Sequence, residues 1–69
     1  MSGPSKRSLT IAGHRTSLSL EPEFWAALKQ IAKRRDITIT GLITEIDAAR
    51  GLTNLSSACR VYALKNIKH

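Results

Sequence analysis

Polar and apolar residues alternate between Arg15 and Leu20, and the spacing then becomes helical without an intervening loop. Successive side chains of a strand point to opposite faces. One face is therefore apolar and the other polar, with Thr16, Leu18 and Leu20 against Arg15, Ser17 and Ser19. A strand that runs directly into a helix has no evident partner in its own chain, so we expect it to pair with the same strand of a second chain. The polar face of such a two-stranded antiparallel ribbon can enter the major groove of DNA.

Three helices are predicted after this strand, over about residues 22–35, 38–50 and 54–67. The first starts at Pro22, which has no N–H to lose there, and the second starts after the N-cap residue Thr38. Gly51 ends the second helix. The apolar residues of the strand and of the first two helices are expected to form the core of a dimer: Leu18, Leu20, Phe24, Trp25, Leu28, Ile31, Leu42, Ile43 and Ile46.

A second alternating segment precedes the strand, but its phase is different. Leu9 and Ile11 have the opposite parity to Leu18 and Leu20, so one unbroken strand cannot bury both pairs on one face. Gly13 therefore marks a bulge, a turn or a change of sheet partner, and the sequence leaves these three alternatives open.

Residues 1–7 contain Gly, Pro and two cations but lack core residues, and we interpret them as a flexible basic arm. Residues 8–69 are expected to form one domain, mostly α-helical, with one short ribbon strand at about 15–20. The predicted order is arm, strand and three helices, without a visible internal repeat.

Charge indicates the class of partner. The 69 residues include 11 Lys and Arg against 5 Asp and Glu, which gives a net charge of +6 and a pI near 10.3. A strongly basic small chain favours a polyanion, and we expect double-stranded DNA. So short a chain builds a marginal core, which is a second reason to expect a homodimer or a higher oligomer.

The cysteine content and the hydropathy of the sequence bear on where in the cell the protein is expected. Cys59 is the single cysteine, so neither an intramolecular disulfide nor a four-cysteine zinc site is possible. No apolar run is long enough to span a membrane, and the first residues lack the apolar block of a signal peptide. We expect a cytoplasmic, nucleoid-associated protein without a membrane partner.

The order of these elements resembles the ribbon-helix-helix family of MetJ, Arc and CopG. The resemblance rests on the run Arg-Thr-Ser-Leu-Ser-Leu, an amphipathic helix, a short turn, a Thr-x-Thr helix start and a second helix rich in Ile and Leu. It covers residues 15 to about 50. A longer match resembles a bacterial subfamily of small ribbon-helix-helix proteins, and it comprises residues 11–15, 45–50 and 54–58.

The resemblance implies an intertwined homodimer whose antiparallel ribbon enters the major groove. By position it implies base contacts at Arg15, Ser17 and Ser19, and phosphate contacts at the N-terminus of the second helix. Arg donates two hydrogen bonds to guanine, and the free N–H groups of a helix start bind phosphate. The residues expected to contact phosphate are Lys6 and Arg7 of the arm, which otherwise serve solubility alone, and Thr38, Ile39 and Thr40.

Two departures from the family pattern affect these expectations. The extra segment from Ser8 to His14 precedes the usual ribbon, so a neighbouring strand can alter the reading face. Serine at two of the three reading positions discriminates bases weakly, which shifts affinity toward phosphate contacts.

The leading hypothesis is a homodimeric DNA-binding protein that acts as a transcriptional repressor or autoregulator. One alternative is the DNA-binding antitoxin of a toxin–antitoxin pair, although we expect such a protein to carry a polar tail after helix three. Another alternative is a nucleoid or architectural protein of low specificity.

Catalysis, metal binding and cofactors are not expected. Ser17, His14 and Asp47 lack the sharp nucleophile turn of a catalytic triad, so we do not expect an enzyme. His14, Cys59 and His69 have no spacing that brings three metal ligands together in one element. Cys59 lies on an apolar stripe and is expected in the core.

Overall fold

The computed structural model describes residues 3–67 and consists of a β-hairpin followed by three helices. This architecture confirms the predicted ribbon-helix-helix order with a third, C-terminal helix. Among residues 3–67, no helix is both long and apolar enough to cross a membrane. The elements are β1 (Ser5–Ile11), β2 (His14–Leu20), α1 (Pro22–Arg34), α2 (Ile39–Ala49) and α3 (Leu55–Asn66).

The two strands form an antiparallel hairpin within one chain. The expectation that the strand over residues 15–20 lacks a partner in its own chain is therefore wrong. A two-residue turn joins the strands, and both of its residues, Ala12 and Gly13, have positive φ angles, of 52° and 82°. Positive φ at both positions is typical of the type I′ turn, whose twist matches that of the flanking strands.

The register of the hairpin explains the opposite parity of the two apolar pairs. Leu9 lies opposite Thr16, and Ile11 lies opposite His14. Residues directly opposite each other share a face of the ribbon. Because the turn has an even number of residues, odd-numbered positions of one strand lie opposite even-numbered positions of the other. Leu9 and Ile11 therefore share the inner face with Leu18 and Leu20, and of the three alternatives at Gly13 the structure has the turn.

The first strand includes part of the segment that was expected to be a flexible arm. Ser5, Lys6 and Arg7 belong to β1, whereas residues 1 and 2 lie outside the described residues. The indole Nε1 of Trp25 donates a hydrogen bond of 2.9 Å to the Ser5 carbonyl. The guanidinium of Arg7 lies 4.6 Å from the centroid of the Trp25 ring, at the distance of a cation–π contact. The start of β1 is thus fastened to α1.

The helices cover the inner face of the hairpin, since α2 packs against β1, α3 packs against β2, and α1 contacts both other helices. One chain already buries nearly all the residues that were expected to form the core of a dimer, and Phe24 alone among them is half-buried. Dimerisation stays a prediction. The residues of that set that are buried within one chain are Leu18, Leu20, Trp25, Leu28, Ile31, Leu42, Ile43 and Ile46.

Helix ends follow from local chemistry. At the end of α1, the N–H of Ile37 donates to the Ala32 carbonyl at 3.0 Å, and the N–H of Asp36 donates to Lys33 at 3.1 Å. Asp36 has a φ of 57°, so this end has the pattern of a Schellman cap. The Oδ1 of Asn54 accepts from the Ser57 N–H at 3.2 Å and caps α3.

An ion pair links α3 to the junction between β2 and α1. Nε of Arg60 donates to Oε1 of Glu21 at 2.9 Å. The hydrogen bond from Arg60 lowers the pKa of the Glu21 carboxyl below its usual value of 4.5. Because Glu21 separates the ribbon from the first helix, this contact helps to orient one relative to the other.

Replacement of Gly13 by alanine is expected to lower the free energy of unfolding by about 1 kcal/mol, because a second residue with a Cβ must then adopt positive φ. Gly3→Ala is the control, since nothing lies within 4 Å of the Cβ it would gain. Urea unfolding followed by Trp25 fluorescence measures both variants. Equal effects of the two substitutions would contradict the hairpin turn.

The stability gained from Glu21 is expected to depend on pH. A carboxyl whose pKa is lowered in the folded state stabilises the fold above its unfolded-state pKa, and this stabilisation is lost as pH falls through the folded-state value. Glu21→Gln should therefore lower Tm at pH 7, and the difference from wild type should shrink as the pH falls below about 4.5. Glu23→Gln, an exposed neighbour on α1, is the control. A difference in Tm that stays constant from pH 7 to pH 3 would refute the role of this pair.

Candidate nucleic-acid interface

The hairpin has an outer face that the helices leave uncovered. The register sets three pairs of side chains on it, and all six are polar. Five of them are exposed and Ser19 is half-buried. The pairs are Lys6 with Ser19, Ser8 with Ser17, and Thr10 with Arg15.

The outer face brings together the three residues that were expected to contact bases, Arg15, Ser17 and Ser19. It also includes Ser8 and Thr10, which sequence reasoning missed as site residues. The alternation of polar and apolar residues around Leu9 indicated that Ser8 and Thr10 share a face. To place that face beside Arg15 and Ser17, one must know that a turn with an even number of residues pairs odd with even positions.

The charge of the outer face favours binding of a polyanion. Lys6 and Arg15 lie on it, and none of its six side chains is acidic. Three of the five Asp and Glu side chains form ion pairs with arginines away from this face, at 2.9, 2.6 and 2.9 Å. These pairs are Arg35 with Glu45, Arg50 with Asp47, and Arg60 with Glu21.

The dimensions of the ribbon match those of a DNA groove. Paired strands lie about 4.8 Å apart, and the major groove is about 12 Å wide, so two strands with their side chains can enter it. An exposed guanidinium such as that of Arg15 can donate two parallel hydrogen bonds to O6 and N7 of guanine. The hydroxyls of Ser8 and Ser17 can donate or accept, and thus tolerate several bases.

The two cations of β1 that were expected to contact phosphate belong to opposite faces. Lys6 is on the outer face, whereas Arg7 shares the inner register position with Leu18 and reaches over the Trp25 ring. The Arg7 guanidinium is still accessible, because the residue is exposed. Arg7 can therefore fasten β1 and face a phosphate at the edge of the ribbon.

The N-terminus of α2 has the expected cap at Thr38, whose Oγ1 accepts from the Gly41 N–H at 2.9 Å. A Cβ at Gly41 would lie 3.1 Å from that oxygen, so glycine leaves room for the cap. The N–H groups of Ile39 and Thr40 precede the first intrahelical donor and remain suited to bind an anion. The Ile39 side chain packs against the core, so its contribution there is limited to the backbone.

Within the described residues, the structure does not bring together the three side chains that were considered for a catalytic triad. His14 and Ser17 have opposite parity on β2 and so project to opposite faces, and the Asp47 carboxylate pairs with Arg50. Cys59 is fully buried, and this burial raises the pKa of its thiol to about 11. Within residues 3–67 no group of three His, Cys, Asp or Glu side chains is placed to hold a metal ion, and His69 lies outside that range.

Comparison with known families agrees with this arrangement. The family model described as a ribbon-helix-helix domain matches residues 4–67, which include both strands and all three helices. No curated protein and no solved structure matches the chain. Because the family match extends over nearly the whole sequence, the chain belongs to the ribbon-helix-helix domain family.

Proposed function

We propose that this protein is a transcriptional repressor or autoregulator that inserts the outer face of its β1–β2 ribbon into the major groove of DNA. Its family is one of DNA-binding regulatory domains. The observation that carries the proposal is the wholly polar outer face, with the cations Lys6 and Arg15 and no carboxylate, on a ribbon whose other face is packed against helices.

Each residue that was predicted from the sequence to contact DNA has a proposed role. Arg15 reads a guanine edge through its guanidinium, and the hydroxyls of Ser17 and Ser19 add contacts with low selectivity. Arg7 and the N–H groups of Ile39 and Thr40 contact phosphates, with Thr38 holding the start of α2 in place. Lys6 lies on the outer face, where a phosphate and a base edge are both within the reach of a lysine.

Homodimerisation is part of the proposal, but its basis differs from strand pairing. The ribbon is complete in one chain, whereas α3 exposes the apolar side chains of Val61 and Leu64 at 48% and 67%. A contact through α3 would leave the ribbon of each chain free for DNA. We further propose that the protein acts in the cytoplasm, on the nucleoid, since its single cysteine is a buried thiol.

Binding to duplex DNA is expected to weaken steeply with salt, because each neutralised phosphate contributes about 0.9 to the slope of log K against log salt concentration. Fluorescence anisotropy with a labelled duplex, between about 50 and 200 mM salt, measures this slope. Affinity that stays constant over that range would refute DNA binding as proposed.

Arg15→Ala is expected to weaken binding to the preferred site by about 1–3 kcal/mol and to reduce discrimination among sequences. Arg15→Lys keeps the charge but replaces the planar two-pronged donor by a single ammonium group, so it should retain nonspecific affinity and only part of the discrimination. Lys65→Ala, on the last turn of α3, removes a cation away from the ribbon and is the control. If Lys65→Ala reduces discrimination as much as Arg15→Ala does, the outer face is not the reading surface.

Sequencing of genomic DNA captured by the purified protein separates the candidate functions. Sharp peaks near a few promoters, including its own, are expected of a regulator. Broad coverage would instead indicate an architectural protein, and co-purification of a second small protein encoded next to this one would indicate an antitoxin.

A further inference from the structure

The two strands of the hairpin carry the same pattern of side chains, nine positions apart. The segment Lys-Arg-Ser-Leu-Thr-Ile at residues 6–11 matches Arg-Thr-Ser-Leu-Ser-Leu at residues 15–20. Cations, hydroxyls and aliphatic side chains coincide at every position except that of Arg7 and Thr16. This internal repeat was not predicted from the sequence, because its first copy was divided between an expected flexible arm and a segment whose strand partner was left open.

Because of the register, the two copies of the repeat are related by a local two-fold symmetry. Ser8 lies opposite Ser17, and these are the third residues of the two copies. A two-fold axis between them, perpendicular to the ribbon, exchanges two antiparallel strands. That axis exchanges Lys6 with Arg15. It also exchanges Thr10 with Ser19, so the entire outer face is pseudo-symmetric.

We propose that one chain reads a short, pseudo-palindromic DNA site by itself, with Lys6 and Arg15 contacting equivalent bases on the two sides of the dyad. This inference rests on the proposed function and extends it. The resemblance implied a ribbon with one strand from each of two chains, and here the second strand is β1 of the same chain. Lys6 is accordingly a base-reading residue and not a phosphate contact.

The spacing of the two cations defines the site. Lys6 and Arg15 are separated by four residue steps along the ribbon, or about 13 Å at about 3.3 Å per residue. With about 3.4 Å of rise per base pair, the two contacted base pairs lie about three to four apart in the groove. Lys and Arg both favour O6 and N7 of guanine, so we expect one guanine on each strand. The base pairs between these two guanines face Ser8 and Ser17, so we expect little sequence preference at those positions.

Selection from a pool of random duplexes tests the inference. The wild-type consensus is expected to be a short pseudo-palindrome. Lys6→Ala should weaken preference on one side of the dyad by about tenfold and Arg15→Ala on the other, whereas Lys65→Ala should change neither. Lys6→Arg should make the two half-sites equivalent, because the outer face then carries the same cation at both symmetric positions. Circular dichroism and Tm confirm that each variant is folded.

Stoichiometry gives an independent readout. Native mass spectrometry with an excess of a duplex that contains one dyad should find one chain for each bound duplex, in a monomer or in a dimer that holds two duplexes. Two chains for each duplex would overturn the inference, since the ribbon would then be shared. A uniform loss of affinity for all sequences on Lys6→Ala would overturn it as well. Both results leave DNA binding intact, whereas a failure to bind any duplex in a salt-dependent way would refute the proposed function itself.

Discussion

Backbone hydrogen bonding between β1 and β2 determines most of what this molecule presents to a partner. A strand must pair its N–H and C=O groups, and here the pairing is intramolecular because a two-residue turn returns the chain at Ala12 and Gly13. Closing so short a loop costs little conformational entropy compared with bringing two chains together. The even length of the turn then sets the register. The register in turn assigns apolar side chains to the inner face and polar ones to the outer face.

The contacts of the helices preserve this division of the ribbon. Leu18 and Leu20 are buried against the helices, and the Trp25 indole fastens the start of β1 by its hydrogen bond to Ser5. Three arginine–carboxylate pairs hold acidic groups on the helices and at the start of α1. All three pairs are at least partly accessible to solvent, which screens them, so each adds little stability individually. They nevertheless leave an outer face that bears two cations and no carboxylate.

The helices could be predicted from the sequence, and the first strand could not. Predicted helix ends lie within one residue of those observed, because residues such as Thr38 act locally through their own side chains. The strand β1 depends on its partner, and its usual signal was weak: type I′ turns favour Asn-Gly or Asp-Gly, whereas this one is Ala-Gly. Because β1 was not predicted, the predicted set of site residues was incomplete. Arg15, Ser17 and Ser19 share a face by alternation alone, but Ser8 and Thr10 join them only through the register.

A ribbon made within one chain differs from one shared by two identical chains in what substitution can do to it. In a symmetric dimer every substitution appears twice, so both halves of the DNA site must change together. Here the symmetric positions are the separate residues Lys6 and Arg15, and each can change without the other. The chain already shows such divergence at Arg7 and Thr16, since Arg7 lies over the Trp25 ring and the symmetric position holds an uncharged threonine. In the proposed mode of binding, a single-chain ribbon is therefore suited to an imperfect palindrome, with a different side chain for each half, and the ribbon itself forms independently of protein concentration.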